Sequence, residues 1–177
     1  VIIAPPQGYD VNKPVRDLAT AHPVLERRFG DWLLAMKKLG FETFLNEVYR
    51  YHVRQQWLWA QGRTAAQCVN AGIPSSWARP GPIVTNAMSC ETSPHGWTRK
   101  DASGKFVPAS AAVDVVPVGA DGKPWTLDDP WDDWLNAALS IEAETGLRHF
   151  RSRGKKIWDK PHLQLTEWDD ANHTLRI

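Results

Sequence analysis

Cysteine is scarce in this chain, with only Cys68 and Cys90 among 177 residues. Their separation excludes the CxxC pattern of a redox or closed zinc site. Two readings stay open, a disulfide formed in an oxidising compartment or two free thiols. No apolar run approaches the roughly 18 residues of a membrane span, so no membrane span is expected. The opening Val1-Ile2-Ile3-Ala4 is too short for a signal-peptide core, and the missing initiator Met implies processing or excision from a longer polypeptide. Charge of one sign does not accumulate either. The 21 Lys and Arg are interspersed with 20 Asp and Glu for a net charge of +1, which argues against nucleic acid as a partner. Familiar catalytic signatures are missing as well: no HExxH helix, no GxSxG elbow and no glycine-rich phosphate loop of Walker type.

The composition is 42% apolar and 23% charged, an ordinary globular balance, and the length suits one domain with a genuine core. Ten tryptophans are many for this length. Each serves core packing or, where a face stays exposed, the lining of a groove for an extended polymer. Residues 1–21, with Pro5, Pro6, Gly8 and Pro14, read as an irregular lead-in to a domain spanning 22–177. Pro23 opens a helix whose Leu25, Phe29, Trp32, Leu33, Met36 and Leu39 recur at three- and four-residue steps until Gly40. A short strand over 43–48 delivers Arg50, and a helix over 53–61 closes at Gly62. The Pro- and Gly-rich stretch 71–82 is a loop, and 83–87 reads as a strand. A buried strand over 111–116 carries Asp114. Asp129-Pro130 reads as an N-cap with proline at the first helical position of a single helix reaching Thr145 and stopping at Gly146. Strands over 147–150 and 162–166 complete an α+β fold, a small, largely antiparallel sheet with flanking helices.

Asp114 draws notice because a carboxylate in an apolar strand is costly unless paired, hydrogen-bonded or bound to a metal. A turn-capping Asp at a strand end is the structural alternative. His162 enters an alternating apolar strand behind Pro161, where a satisfied structural histidine is the commoner use. His95 follows Pro94 in a loop. Two histidines and one aspartate near strand ends have the composition of a three-ligand catalytic metal site with its fourth position open. From the residues alone, the reading reaches a possible metal site.

The run Tyr49-Arg50-Tyr51-His52-Val53-Arg54-Gln55-Gln56-Trp57-Leu58-Trp59-Ala60-Gln61-Gly62-Arg63-Thr64 resembles a signature of the L-alanyl-D-glutamate peptidases. These belong with the D-Ala-D-Ala carboxypeptidases and dipeptidases in one superfamily of zinc peptidases. A second block, Ser-x-His-x-x-Gly-x-Ala-x-Asp, is similar to Ser93-x-His95 and Ala112-x-Asp114. A third, Asp-x-Pro-His-Phe, is similar to Asp159-Lys160-Pro161-His162-Leu163. The blocks occur in family order between about residues 45 and 166. In the family the Asp follows the first His by seven residues, whereas here the separation is wider. Residues 97–108 are read as an inserted loop or hairpin at the rim of the cleft. Asp101, the rival ligand, lies in polar turn sequence without the strand context of Asp114. The family's Trp-Gly-Gly-x-Trp segment is replaced by His149-Phe150-Arg151-Ser152-Arg153-Gly154.

The resemblance implies a zinc ion, Zn2+, on His95, Asp114 and His162 at the sheet. It implies Asp159 as the catalytic acid–base and Arg50 as the group that stabilises a developing oxyanion; apart from the resemblance, Glu167, next to the end of the last strand, is the acid–base to test next. Ser93 and Gln55 match family positions near the site, which bind or position substrate or support the site from behind. The implied activity is hydrolysis of peptidoglycan stem peptides, at the L-alanyl-D-glutamate bond, by a monomer acting at the cell wall. A D-Ala-D-Ala carboxypeptidase or dipeptidase on the same scaffold is the nearest alternative, and a non-catalytic wall-binding or phage structural module the more distant one.

Overall fold

The computed structural model describes residues 1–149 and 159–177. Helix α1 (Pro23–Lys38) forms where the periodicity places it, with proline in its first turn and Lys37 and Lys38 at its negative end. Its cap is His22, whose Nδ1 accepts from the Val24 amide at 3.3 Å. Leu25, Phe29, Trp32 and Met36 lie along one side of the helix and are fully buried. Each contributes about 1.5–3 kcal/mol of transfer free energy.

That face packs on a four-stranded antiparallel sheet. Its strands in chain order are β1 (Thr43–Glu47), β4 (Ala112–Pro117), β5 (Leu147–His149) and β6 (His162–Leu165), and their spatial order is β1-β4-β6-β5. The register sets Val113 against Leu163 and Leu147 against Leu165, and all four belong to the core with Val115, Trp131 and Trp134. Side chains alternate between faces of a strand. The intervening residues Asp114, His162, Gln164 and Arg148 therefore belong to the opposite face, in cross-strand pairs Asp114–His162 and Gln164–Arg148. One face of the sheet makes the core and the other carries polar side chains. The fold class is α+β, as expected.

Several elements differ from the sequence expectation. Segment 83–87 is not a strand. The Ala87 carbonyl accepts from Gln55 Nε2 at 2.6 Å and the Thr85 carbonyl from Arg63 Nη1 at 3.1 Å, so side chains occupy positions a neighbouring strand would take. Asp129 does not cap a helix; its carboxylate holds Thr126 Oγ1 at 2.9 Å instead. The helix begins at Asp132 and divides at Ile141 into α4 (Asp132–Ser140) and α5 (Glu142–Thr145). Gly146, at φ 66°, ends α5 as expected. The second helix, α2, covers His52–Ala60. Gly62 beyond it is obligatory, because a Cβ there would stand 2.5 Å from the Pro82 carbonyl oxygen. Helix α3 (Ala65–Asn70) was not anticipated, although Thr64 and Gln67 form a capping box.

Residues 97–108 do contain a hairpin, β2 (Thr98–Lys100) and β3 (Phe106–Pro108). The last hairpin pairs β7 (Trp168–Asp169) with β8 (Thr174–Leu175). The lead-in is mostly irregular yet tied down, with Val48 N–H donating to Val15 O at 2.7 Å and Ser110 N–H to Thr20 O at 2.9 Å. Both cysteines are buried free thiols. Among the described residues, no helix is long and apolar enough to cross a membrane. The strand expected over 147–150 is described only to His149; Phe150 and the segment 151–154 lie outside the described residues.

Glu167, the alternative acid–base, is engaged elsewhere. It receives Arg28 Nη1 and Nη2 at 2.7 Å each, clasping α1 to the residues after β6. The hydrogen bonds from Arg28 hold its carboxyl below the usual glutamate range. A depressed folded-state pKa stabilises the fold fully above the unfolded value, and that contribution is lost as pH falls through the folded value. Glu167→Gln is therefore expected to cost roughly 1 kcal/mol at neutral pH, with the deficit disappearing in acid. Urea melts of both proteins across the acidic range check this; a pH-independent deficit would contradict the ion-pair account.

Candidate metal centre

His95, Asp114 and His162 come from three separate places in the chain. Asp114 and His162 face each other across β4 and β6. His95 arrives on a short turn of 3-10 helix, Pro94–Gly96. The Ala111 amide holds the Pro94 carbonyl at 2.9 Å, and the Arg50 amide holds that of His95 at 3.1 Å. Gly96 is required here, since a Cβ would meet the Cys90 carbonyl oxygen at 2.2 Å. The turn can pack against the preceding turn, Cys90–Thr92, only because no side chain intervenes.

All three side chains are buried, and their donor atoms form a group able to hold a metal ion. His95 Nε2 lies 3.1 Å from Asp114 Oδ1 and 3.2 Å from His162 Nδ1, and the third edge, His162 Nδ1 to Asp114 Oδ1, is 3.5 Å. Tetrahedral coordination with bonds of about 2.0–2.1 Å requires donor–donor edges of about 3.3–3.4 Å. The triangle fits that size.

The outer hydrogen bonds aim the lone pairs inward. His95 Nδ1 faces the Val48 carbonyl at 2.8 Å. A carbonyl only accepts, so Nδ1 carries the proton and Nε2 presents its lone pair. His162 Nε2 likewise faces Gln164 Oε1 at 2.8 Å, so Nε2 donates and Nδ1 presents its lone pair.

A buried ionic network supports Asp114. Glu47, its cross-strand neighbour on β1, is 1% exposed and binds both Arg50 and Arg54. Arg50 also binds Asp114 Oδ2, so one guanidinium separates two carboxylates that would otherwise repel. Burial opposes the charge on Asp114, but His95 and Arg50 outweigh it and hold the group well below the carboxylate range. Burial and the Arg50 charge keep His95 below the usual imidazole range. For His162 burial pulls the other way and is overcome by Asp114 and Asp159, which raise it. Burial raises Asp159 above the ordinary aspartate range, against the pull of His162.

A cavity of about 240 Å³ opens over the centre, and Arg50, Ser93, Asp159 and His162 line it. Two of the three guanidinium nitrogens of Arg50 are committed to Glu47 and Asp114, which makes it a structural ion-pair partner as well as part of the wall. Gln55 does not line the cavity. It is fully buried and holds the Ala87 carbonyl, so it positions the 85–87 wall. Asp101 is spent inside the β2–β3 turn, accepting from Ser103 and Lys105, and no residue of 97–108 lines the cavity. Gln164, Trp168, Asp170 and His173 do line it and were missed, as was Glu47 behind Asp114 and Arg50. Glu47 left one sequence signal, an acid three residues before Arg50 and seven before Arg54.

No family model matches the chain, and no curated protein matches it. The metal centre therefore rests on its own chemistry. A divalent transition metal is expected to raise the melting temperature, by about 2.7 kcal/mol of stabilisation at a hundred times its Kd. His162→Ala is expected to abolish the rise. Because the raised His162 must lose its proton to ligate, affinity is expected to weaken as pH falls, with proton release on binding. Calorimetry in buffers of different ionisation enthalpy measures both; full stabilisation of His162→Ala would contradict the assignment.

Proposed function

We propose that the protein is a zinc peptidase acting on the stem peptides of bacterial peptidoglycan. The observation that carries the reading is the triangle of buried donors beneath a cavity that Asp159 also lines. Two imidazole nitrogens and one carboxylate suit zinc better than magnesium or calcium, which favour oxygen ligands. Three protein ligands leave a position for a reactant, the arrangement of catalytic rather than structural sites. When bound, zinc supplies Lewis acidity, polarising a peptide carbonyl and acidifying the attacking water.

The remaining work belongs to the chain. Asp159, with its affinity for protons raised by burial, takes a proton from the attacking water and delivers one to the departing amine. Arg50 stays charged under all conditions of interest and offers its uncommitted nitrogen to the oxyanion. Glu47 and Asp114 hold its other nitrogens, so the group is oriented before substrate arrives. Ser93, buried at the cavity wall, makes no side-chain cap bond to its own turn and is available to bind the peptide. The choice of peptidoglycan, and of the L-alanyl-D-glutamate bond, is supported by the three sequence blocks that resemble those peptidases.

Zinc-loaded protein incubated with purified peptidoglycan is expected to expose new amino-terminal glutamate. Release of free D-alanine instead would assign the carboxypeptidase specificity, and release of neither product would overturn the peptidase reading. Asp159→Ala and Asp159→Asn are expected to keep zinc and fold, yet lose about a hundredfold or more in turnover. Near wild-type turnover in a zinc-loaded Asp159→Ala protein would remove Asp159 from the mechanism.

A further inference from the structure

Behind His162, hydrogen bonds continue away from the metal centre along the same face of the sheet. Gln164, two residues on, is fully buried and sits opposite Arg148 of β5. Its Nε2 donates to Asp170 Oδ1 at 3.2 Å, while its Oε1 faces His162 Nε2 at 2.8 Å. The other oxygen of Asp170 receives Arg148 Nη2 at 2.8 Å, and the same nitrogen reaches the Trp168 carbonyl at 3.1 Å. Arg148, Asp170, Gln164 and His162 thus form a continuous chain ending on a metal-ligand ring.

We propose that Asp170, acting through Gln164, selects the tautomer of His162 and so decides which ring nitrogen is presented to the metal. The inference rests on the metal-centre reading above and deepens it: neither residue is a ligand, and both are positioning residues. The logic runs in one direction. Arg148 only donates, so it needs an acceptor and takes Asp170 Oδ2. A carboxylate only accepts, so the Gln164 group facing Asp170 must be the NH2. That turns the amide oxygen towards His162. The oxygen also only accepts, so His162 must carry its proton on Nε2 and keep the Nδ1 lone pair for the metal. A flipped amide would set its oxygen against the carboxylate, losing that hydrogen bond, and would turn its NH2 to the ring, favouring the tautomer with the proton on Nδ1. His95 needs no such chain because a backbone carbonyl, which cannot flip, performs the same selection. A side-chain amide can flip, and Asp170 is what prevents it.

Gln164→Leu removes the acceptor and is expected to weaken zinc binding about ten- to a hundredfold, the usual range for a lost outer partner. Asp170→Asn leaves both ligand histidines and Gln164 in place but offers an amide that no longer dictates orientation, so affinity is expected to fall by a smaller factor. The double variant Gln164→Glu with Asp170→Asn restores an acceptor facing His162 and a donor facing residue 164; it is expected to return affinity close to wild type. Zinc affinity is measured by competition with a chromophoric chelator, with melting of the metal-free proteins as the folding control. Long-range proton–nitrogen NMR on metal-free protein, in mildly alkaline buffer, reads the His162 tautomer directly. Wild type is expected to show the proton on Nε2, and Asp170→Asn a mixture. Unchanged zinc affinity in Asp170→Asn together with an unmixed Nε2 tautomer would overturn the proposal. A wild-type protein that binds no zinc would refute the metal reading, and the tautomer spectra would still decide this one.

Discussion

His95 Nε2, Asp114 Oδ1 and His162 Nδ1 turn three electron-rich atoms towards one buried point at separations of 3.1–3.5 Å. Burial strips away the water that would otherwise screen them, so they repel unless a proton or a metal cation lies between. Much of the surrounding structure serves that requirement. The Val48 carbonyl and the Gln164 amide hold the outer ring nitrogens, and Arg50 neutralises the far oxygen of Asp114. The raised proton affinity of His162 reflects the same crowding, and a metal ion bound there would compete with a proton for one place.

The sheet makes this crowding affordable. Its helix-facing side buries Val113, Val115, Leu163 and Leu165 against α1, and these contacts supply stability that does not depend on the centre. The pleat then presents every second residue of β4 and β6 on the other side, where Asp114 meets His162 in register. A slip of one residue in either strand would exchange a ligand for a core valine or leucine. The apolar pattern that builds the core thus also enforces the spacing of the ligands.

Glu47 extends the arrangement to β1. Two carboxylates in adjacent strands, with Arg50 between them and Arg54 beyond, balance two negative charges with two positive ones in a nearly dry site. Such a network is poor evidence of stability, because the desolvation cost offsets much of the attraction. Its value lies in geometry: Arg50 is held in one orientation at the cavity wall, and it cannot relax without leaving buried charge unpaired.

The sequence by itself determined the elements that follow from local rules. The apolar repeat after Pro23, the glycine stops at Gly40, Gly62 and Gly146, and the polar turn around Asp101 all appear as hairpin, helix or cap where residue chemistry places them. The ligand types were legible too, since a lone carboxylate in an apolar strand needs a partner. Local rules failed where distant side chains competed for the backbone. The strand expected at 83–87 gave its carbonyls to Gln55 and Arg63, and Asp129 turned back to Thr126 and left the helix uncapped. Only the tertiary structure decided that Gln55 supports a wall, that Glu167 clasps Arg28, and that Glu47, Gln164 and Asp170 brace the centre. The physical reason is that periodicity records which face a side chain occupies, whereas hydrogen-bond partners depend on cross-strand register and on turns brought together from far along the chain.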